Sequence, residues 1–134
     1  MDNVAKKRDI REYSGLELAY LGDAIWELEL RKYYLNFAFN IQKLNKVVKS
    51  KVNAKAQSEL LKKIFDDLDE EYQNIAKRAK NSNIKTFPNS CTVMEYKEAT
   101  AFEAVIAALY TNNKQEEIEK ILKKCIEGDE NGII

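Results

Sequence analysis

Apolar residues along this chain recur at steps of three and four, the period of an α-helix. With four glycines and one proline there are few of the turn signals that separate strands, so the chain reads as all-α. Ser14 is placed to cap a helix over about 15–35, with Glu17 three residues on as its capping-box partner. Leu18, Leu21, Ile25 and Leu28 carry the helical repeat there. Ala24, Trp26, Leu30 and Tyr34 widen the apolar surface until it covers most of the circumference. Such a helix is buried by more than one neighbour, and in a chain this short a second subunit is a candidate neighbour.

Further helices are expected over about 41–49 (Leu44, Val47, Val48), 52–65 (Ala56, Leu60, Leu61, Ile64) and 68–80 (Tyr72, Ile75, Ala76, Ala79). The polar stretch 81–90 holds the single proline, Pro88, and is the clearest loop. Two more helices fit about 96–111 (Phe102, Val105, Ile106, Leu109) and 115–127 (Ile118, Ile121, Leu122, Cys125). The 134 residues suffice for one domain, with its core over about 13–127, and no second domain is expected.

Charge changes the picture only when it is resolved along the chain. The 22 bases and 22 acids cancel, which argues against a uniformly basic nucleic-acid coat. Yet Lys43, Lys46, Lys49, Lys51, Lys55, Lys62 and Lys63 stand against Glu59 alone over 41–65. Lys77, Arg78, Lys80 and Lys85 stand unopposed over 72–91. Between them lies an acidic run, Asp66, Asp67, Asp69, Glu70 and Glu71, at a helix start that the helix dipole favours. A basic run is either a solvated helix face or a surface for backbone phosphates.

The chemistry is bounded first by what is missing. The chain has no histidine, which excludes Ser-His-Asp and Cys-His catalysis and zinc sites built on His. Two cysteines, Cys91 and Cys125, make no disulfide framework, and no stretch approaches a membrane span or a signal-peptide core. A cytoplasmic protein with free thiols and no membrane partner is the expectation.

Two acids stand in apolar surroundings: Asp23 in LAYLGDAIWEL and Glu103 in TAFEAVIAALY. Gly22 and Asp23 both lower helix propensity inside the helix that holds them, a local violation of the kind that marks functional or strained sites. Gly22 also lets another backbone approach closely. One reading pairs these acids with bases such as Arg31 or Lys97. The other makes them ligands of a hard divalent cation, Mg²⁺ or Mn²⁺. Glu27, one turn after Asp23, is either a third acid of that site or a partner of Arg31. A cation, carboxylates and basic segments together point to phosphodiester hydrolysis.

LAYLGDA and TAFEA, taken together, resemble the two signatures of the ribonuclease III catalytic domain, and more closely its short bacterial form, Mini-ribonuclease III. Ala19 and Thr100 stand where the larger family has two further acids, which the short form also lacks. VNAKAQ at 52–57 and RAKNSNIKTFPNS at 78–90 look like two further segments of that form. The resemblance spans about residues 13–125. It implies a homodimeric all-helical endonuclease, without a double-stranded-RNA-binding domain. Such an enzyme cuts double-stranded RNA with Mg²⁺ and matures the ends of the 23S ribosomal RNA precursor, with the large ribosomal subunit or one of its proteins as a further partner. Asp23 and Glu103 would be its metal-binding catalytic acids, with Tyr20 and Glu27 as neighbours of the site. Lys51, Lys55, Arg78, Lys80, Asn81 and Lys85 would contact RNA phosphates, and Asn53 and Ser82 sugar hydroxyls. Two alternatives are a catalytically inactive RNA-binding or ribosome-associated helical module and a helical interaction protein with no RNA role.

Overall fold

The structure is a computed structural model that describes residues 8–127 and 129. Six α-helices make up the fold: α1 Gly15–Tyr34, α2 Ile41–Val52, α3 Ala54–Ile64, α4 Glu70–Lys80, α5 Val93–Thr111 and α6 Gln115–Ile126. Among the described residues there is no strand. Three short 3-10 turns, Ile10–Glu12, Leu35–Phe37 and Phe65–Asp67, have no counterpart in the expected pattern, because one turn is too short to show a periodicity.

α5 is the centre of the domain and packs against α1, α3, α4 and α6. Its sequence explains the position. Ala99, Ala101, Ala104, Ala107 and Ala108 let neighbours come close on every side, while Phe102, Val105, Ile106 and Leu109 fill the space between them. A helix apolar all round belongs in the interior. Its start lies at Val93, three residues earlier than expected from periodicity. Thr92 caps it and Glu95 returns the bond to the cap, a capping box that apolar spacing does not register. Its end is set by Asn113 in the left-handed region (φ 59°). The Lys114 N–H reaches the Leu109 carbonyl (2.8 Å) and the Asn113 N–H the Tyr110 carbonyl (3.0 Å), closing a Schellman motif that turns the chain into α6.

α1 lies along α5. Ser14 and Glu17 form the expected capping box. The buried face runs through Leu18, Gly22, Ile25, Trp26, Glu29 and Leu30, and Trp26 meets Phe102 edge-on with ring centroids 5.1 Å apart. Leu21 and Leu28, expected inward, lie on the flank and are exposed, as are Leu16 and Tyr20. Trp26 and Tyr34 are fully buried within this one chain, so neither is available to a second subunit. Cys91 and Cys125 are free thiols.

The two helices that carry the acids cross at Gly22. A Cβ built there would stand 1.7 Å from the Glu103 carbonyl oxygen and 2.5 Å from its carbon. Only a residue without a side chain permits this approach, which is the reason a poor helix former interrupts the most apolar run of α1.

Candidate active site

The crossing brings the two singled-out acids together. Glu103 follows fully buried Phe102 and is itself half-buried, whereas Asp23 is exposed at the edge of the helix. Asp23 therefore does not sit in the interior as its apolar context suggests. Gly22 takes the inward position, and the next residue along the helix swings out toward solvent. The Glu103 carboxyl lies near enough to the Asp23 carboxylate to feel its charge. Its pKa is pushed up to about 8, chiefly by burial, then by the Asp23 charge. A neighbouring negative charge and partial burial both favour the protonated form of Glu103.

Neither expected base neutralises the pair. Arg31 is taken by Glu27 one turn away on α1, and no ion pair joins Lys97 to either acid among the described residues. Glu27 is thus a helix-surface partner of Arg31. Among the described residues no cluster of three or more His, Cys, Asp or Glu forms around it. Thr100 is buried and spends its hydroxyl on the Tyr96 carbonyl (2.9 Å), and Ala19 is buried too. Tyr20 is 86% exposed and lines a shallow groove with Tyr13, Leu16 and Leu21.

A third side chain, not foreseen as part of the site, reaches Glu103 from α3. Gln57 is 2% exposed, and its amide acts on the Glu103 carboxyl as a donor that opposes the upward shift. Yet its Nε2 lies outside hydrogen-bond geometry with any acceptor. A buried amide without a partner costs roughly 1–3 kcal/mol. The signal was present in the sequence. Gln57, Leu60, Leu61 and Ile64 form one inward stripe at helical spacing, with a polar residue in an apolar position. α3 is pinned to α5 beside it by Ser58, whose hydroxyl donates to Glu98 Oε1 at 2.5 Å.

The basic residues separate into two groups. Lys51 is turned inward: its ammonium lies 3.1 Å from Asp129 Oδ1 and 3.3 Å from the Cys125 carbonyl. Asp129 also accepts a short hydrogen bond from the Tyr34 hydroxyl, closing a buried clasp between α1, α2 and the segment after α6. Lys51 is therefore committed to the fold instead of standing at the surface. Asn53 caps α3 through the Ala56 N–H, and its amide donates to the Ser50 carbonyl (3.1 Å). Arg78 donates to the Tyr13 carbonyl (3.1 Å), and Lys80 lies 3.7 Å from Glu98. Lys55, Asn81 and Lys85 are exposed, and none of the three has a side-chain hydrogen bond or ion pair among the described residues. A Cβ on Gly15 would meet the Ala79 Cα at 2.6 Å and the Ser82 hydroxyl at 2.8 Å. That contact seats the end of α4, with Asn81 and half-buried Ser82, on the start of the helix that carries Asp23.

A carboxylate pair without a base, set beside exposed cations, agrees with the relationships of the chain. The ribonuclease III domain profile matches residues 16–114. The chain belongs to the ribonuclease III family. Within that family, a Mini-ribonuclease 3-like protein of Fusobacterium nucleatum is 69% identical over 129 residues, covering 96% of this chain and all of the relative. A Mini-ribonuclease 3 of Clostridium tetani is 36% identical over 122 residues, covering 90% and 81% of the two chains. A crystal structure of a Fusobacterium nucleatum protein superposes with a TM-score of 0.86 at 67% identity, covering 92% of this chain and 99% of that one. The relatives place the chain in the Mini-ribonuclease 3 branch, an endoribonuclease fold that hydrolyses phosphodiester bonds in RNA.

Proposed function

We propose that this ribonuclease III domain cleaves double-stranded RNA, using Mg²⁺ held by Asp23 and Glu103. The observation that carries the reading is the carboxylate pair gathered across the Gly22 crossing, with no basic side chain among the described residues paired to it. Hard oxygen ligands without His or thiolate suit Mg²⁺, and Mn²⁺ by the same chemistry. The Gln57 amide, left without an acceptor, agrees with this, since ionised Glu103 is the acceptor it lacks. When bound, the cation lowers the pKa of a water and offsets charge on the phosphoryl oxygens. Asp23 and Glu103 would hold it at the edge of α1 and α5. The proton that Glu103 holds would pass to solvent when a cation is bound there.

Lys55, Asn81 and Lys85 hold the RNA backbone, with Arg78, Lys80, Asn53 and Ser82 beside them. A-form RNA offers phosphates and 2′-hydroxyls more readily than base edges, so a few separated basic groups suit a duplex. A homodimer is supported by the exposed apolar residues of α1, Leu16, Tyr20, Leu21 and Leu28, on the helix that carries Asp23. A two-fold pair of such sites matches the two strands of a duplex. The 23S ribosomal RNA precursor is the substrate that the Mini-ribonuclease 3 kinship favours, and a cytoplasmic location follows from it. No helix among the described residues is long and apolar enough to cross a membrane.

The test is cleavage of a duplex taken from the ends of the 23S precursor, with Mg²⁺, by the unaltered protein and by Asp23→Asn. Specific cuts that vanish in the variant and in EDTA are expected. Duplex binding without cleavage by the unaltered protein would instead favour an RNA-binding module.

A further inference from the structure

Gln57 is a buried polar side chain beside the carboxylate pair whose donor has no partner among the described residues. Its inward stripe on α3 otherwise holds Leu60, Leu61 and Ile64, so an apolar residue there would bury without loss. The other buried polar groups nearby are satisfied: Ser58 by Glu98 and Thr100 by the Tyr96 carbonyl. Among the described residues two buried donors lack a partner, the indole N–H of Trp26 and Nε2 of Gln57, and it is Gln57 that has the Glu103 carboxyl as its neighbouring acceptor. An uncompensated buried donor of this kind marks a functional or strained site.

Building on the metal-site reading above, we propose that Gln57 is a positioning residue for Glu103. Its buried Nε2–H would hold one Glu103 oxygen, and so leave the other oxygen to Asp23 and the cation. Gln57 itself touches neither cation nor RNA. Outer partners that orient a metal ligand typically contribute 10- to 100-fold in metal affinity.

The test is titration with Mn²⁺, followed by calorimetry, of the unaltered protein, Gln57→Met, Glu103→Gln and the double variant. Gln57→Met should weaken Mn²⁺ binding by roughly 10- to 100-fold. In EDTA its melting temperature should not fall, because a buried unpaired amide has been removed. Its duplex affinity in Ca²⁺ should be unchanged, and its cleavage should fall in kcat more than in KM. Adding Gln57→Met to Glu103→Gln should cause no further loss of Mn²⁺ binding. A second readout needs no substitution at position 57 in the protein observed. The Gln57 side-chain amide signal in a nitrogen–proton correlation spectrum should shift, and exchange more slowly, on adding Mg²⁺. Mn²⁺ affinity of Gln57→Met equal to that of the unaltered protein overturns the inference, as does an amide signal indifferent to saturating Mg²⁺. Failure of the unaltered protein to bind Mn²⁺ at all overturns the metal-site reading and this inference with it.

Discussion

Replacing Gly22 by Ala tests whether the approach of α1 to α5 builds the site. At an exposed helix position this change stabilises by about 1 kcal/mol through propensity alone. Here the new Cβ would stand 1.7 Å from the Glu103 carbonyl oxygen and 2.5 Å from its carbon. Both are backbone atoms, so no side chain can rotate out of the way. The helices must part by about 1.5 Å to restore even a tight van der Waals approach. A gap of 0.5–1 Å already forfeits about a quarter to a half of the dispersion well of each facing atom pair. The contacts at risk include Leu18, Ile25 and the Trp26–Phe102 pair. Overpacking of this kind costs about 1–3 kcal/mol, and with rigid backbone on both sides the upper end outweighs the propensity gain. A net loss of roughly 2 kcal/mol corresponds to a melting temperature lower by about 5–10 °C in a domain of this size. Thermal unfolding in EDTA measures it, with Ala24→Gly on the exposed side of α1 as the propensity control. Mn²⁺ binding should weaken further than stability does, because the parting separates Asp23 from Glu103. A Gly22→Ala protein that melts within about 2 °C of the unaltered one and binds Mn²⁺ equally well would refute the reasoning.

Three other expectations follow from groups whose surroundings are specific. In the metal-free protein Glu103 keeps its proton up to about pH 8, whereas the unfolded chain releases it near 4.5. The folded state thus binds more protons between these values, so stability should fall as pH rises from 4.5 to about 8; melting temperatures across that range in EDTA should show the decline, and Glu103→Gln should flatten it. Lys51→Met should cost about 3 kcal/mol, because it strands Asp129 buried without its cation; denaturant unfolding reads the loss, and duplex affinity at fixed salt should stay unchanged. Lys85→Ala should leave stability alone and make the log–log salt dependence of duplex binding shallower by roughly 0.7–0.9, and an unaltered slope removes Lys85 from the contact surface.

The helices were legible because their apolar faces are wide, and the start of α1 was legible to the residue because Ser14 and Glu17 mark it. The start of α5 was not, since its first turn is amphipathic in neither direction and the Thr92–Glu95 box was the only mark. Asp23, Gly22 and Glu103 stood out because each contradicts the apolar run around it. Gln57 contradicts its run as well, but a single amide among lysines and alanines is a weak contrast. The fate of the bases could not be read at all. Lys51 and Lys55 are equivalent letters four residues apart, and only the path of the chain after α6 shows that one of them is claimed by Asp129.

The clasp of Tyr34, Lys51 and Asp129 bears on how the protein should be handled. Asp129 lies just beyond the last helix, in a stretch commonly trimmed as expendable before expression. Cutting there would leave a lysine and a tyrosine facing each other across an interior that has lost its anion. Purification tags therefore belong at the amino end. A boundary set at the close of α6 would yield a weakened domain whose defect is easily mistaken for a requirement for RNA or a second subunit.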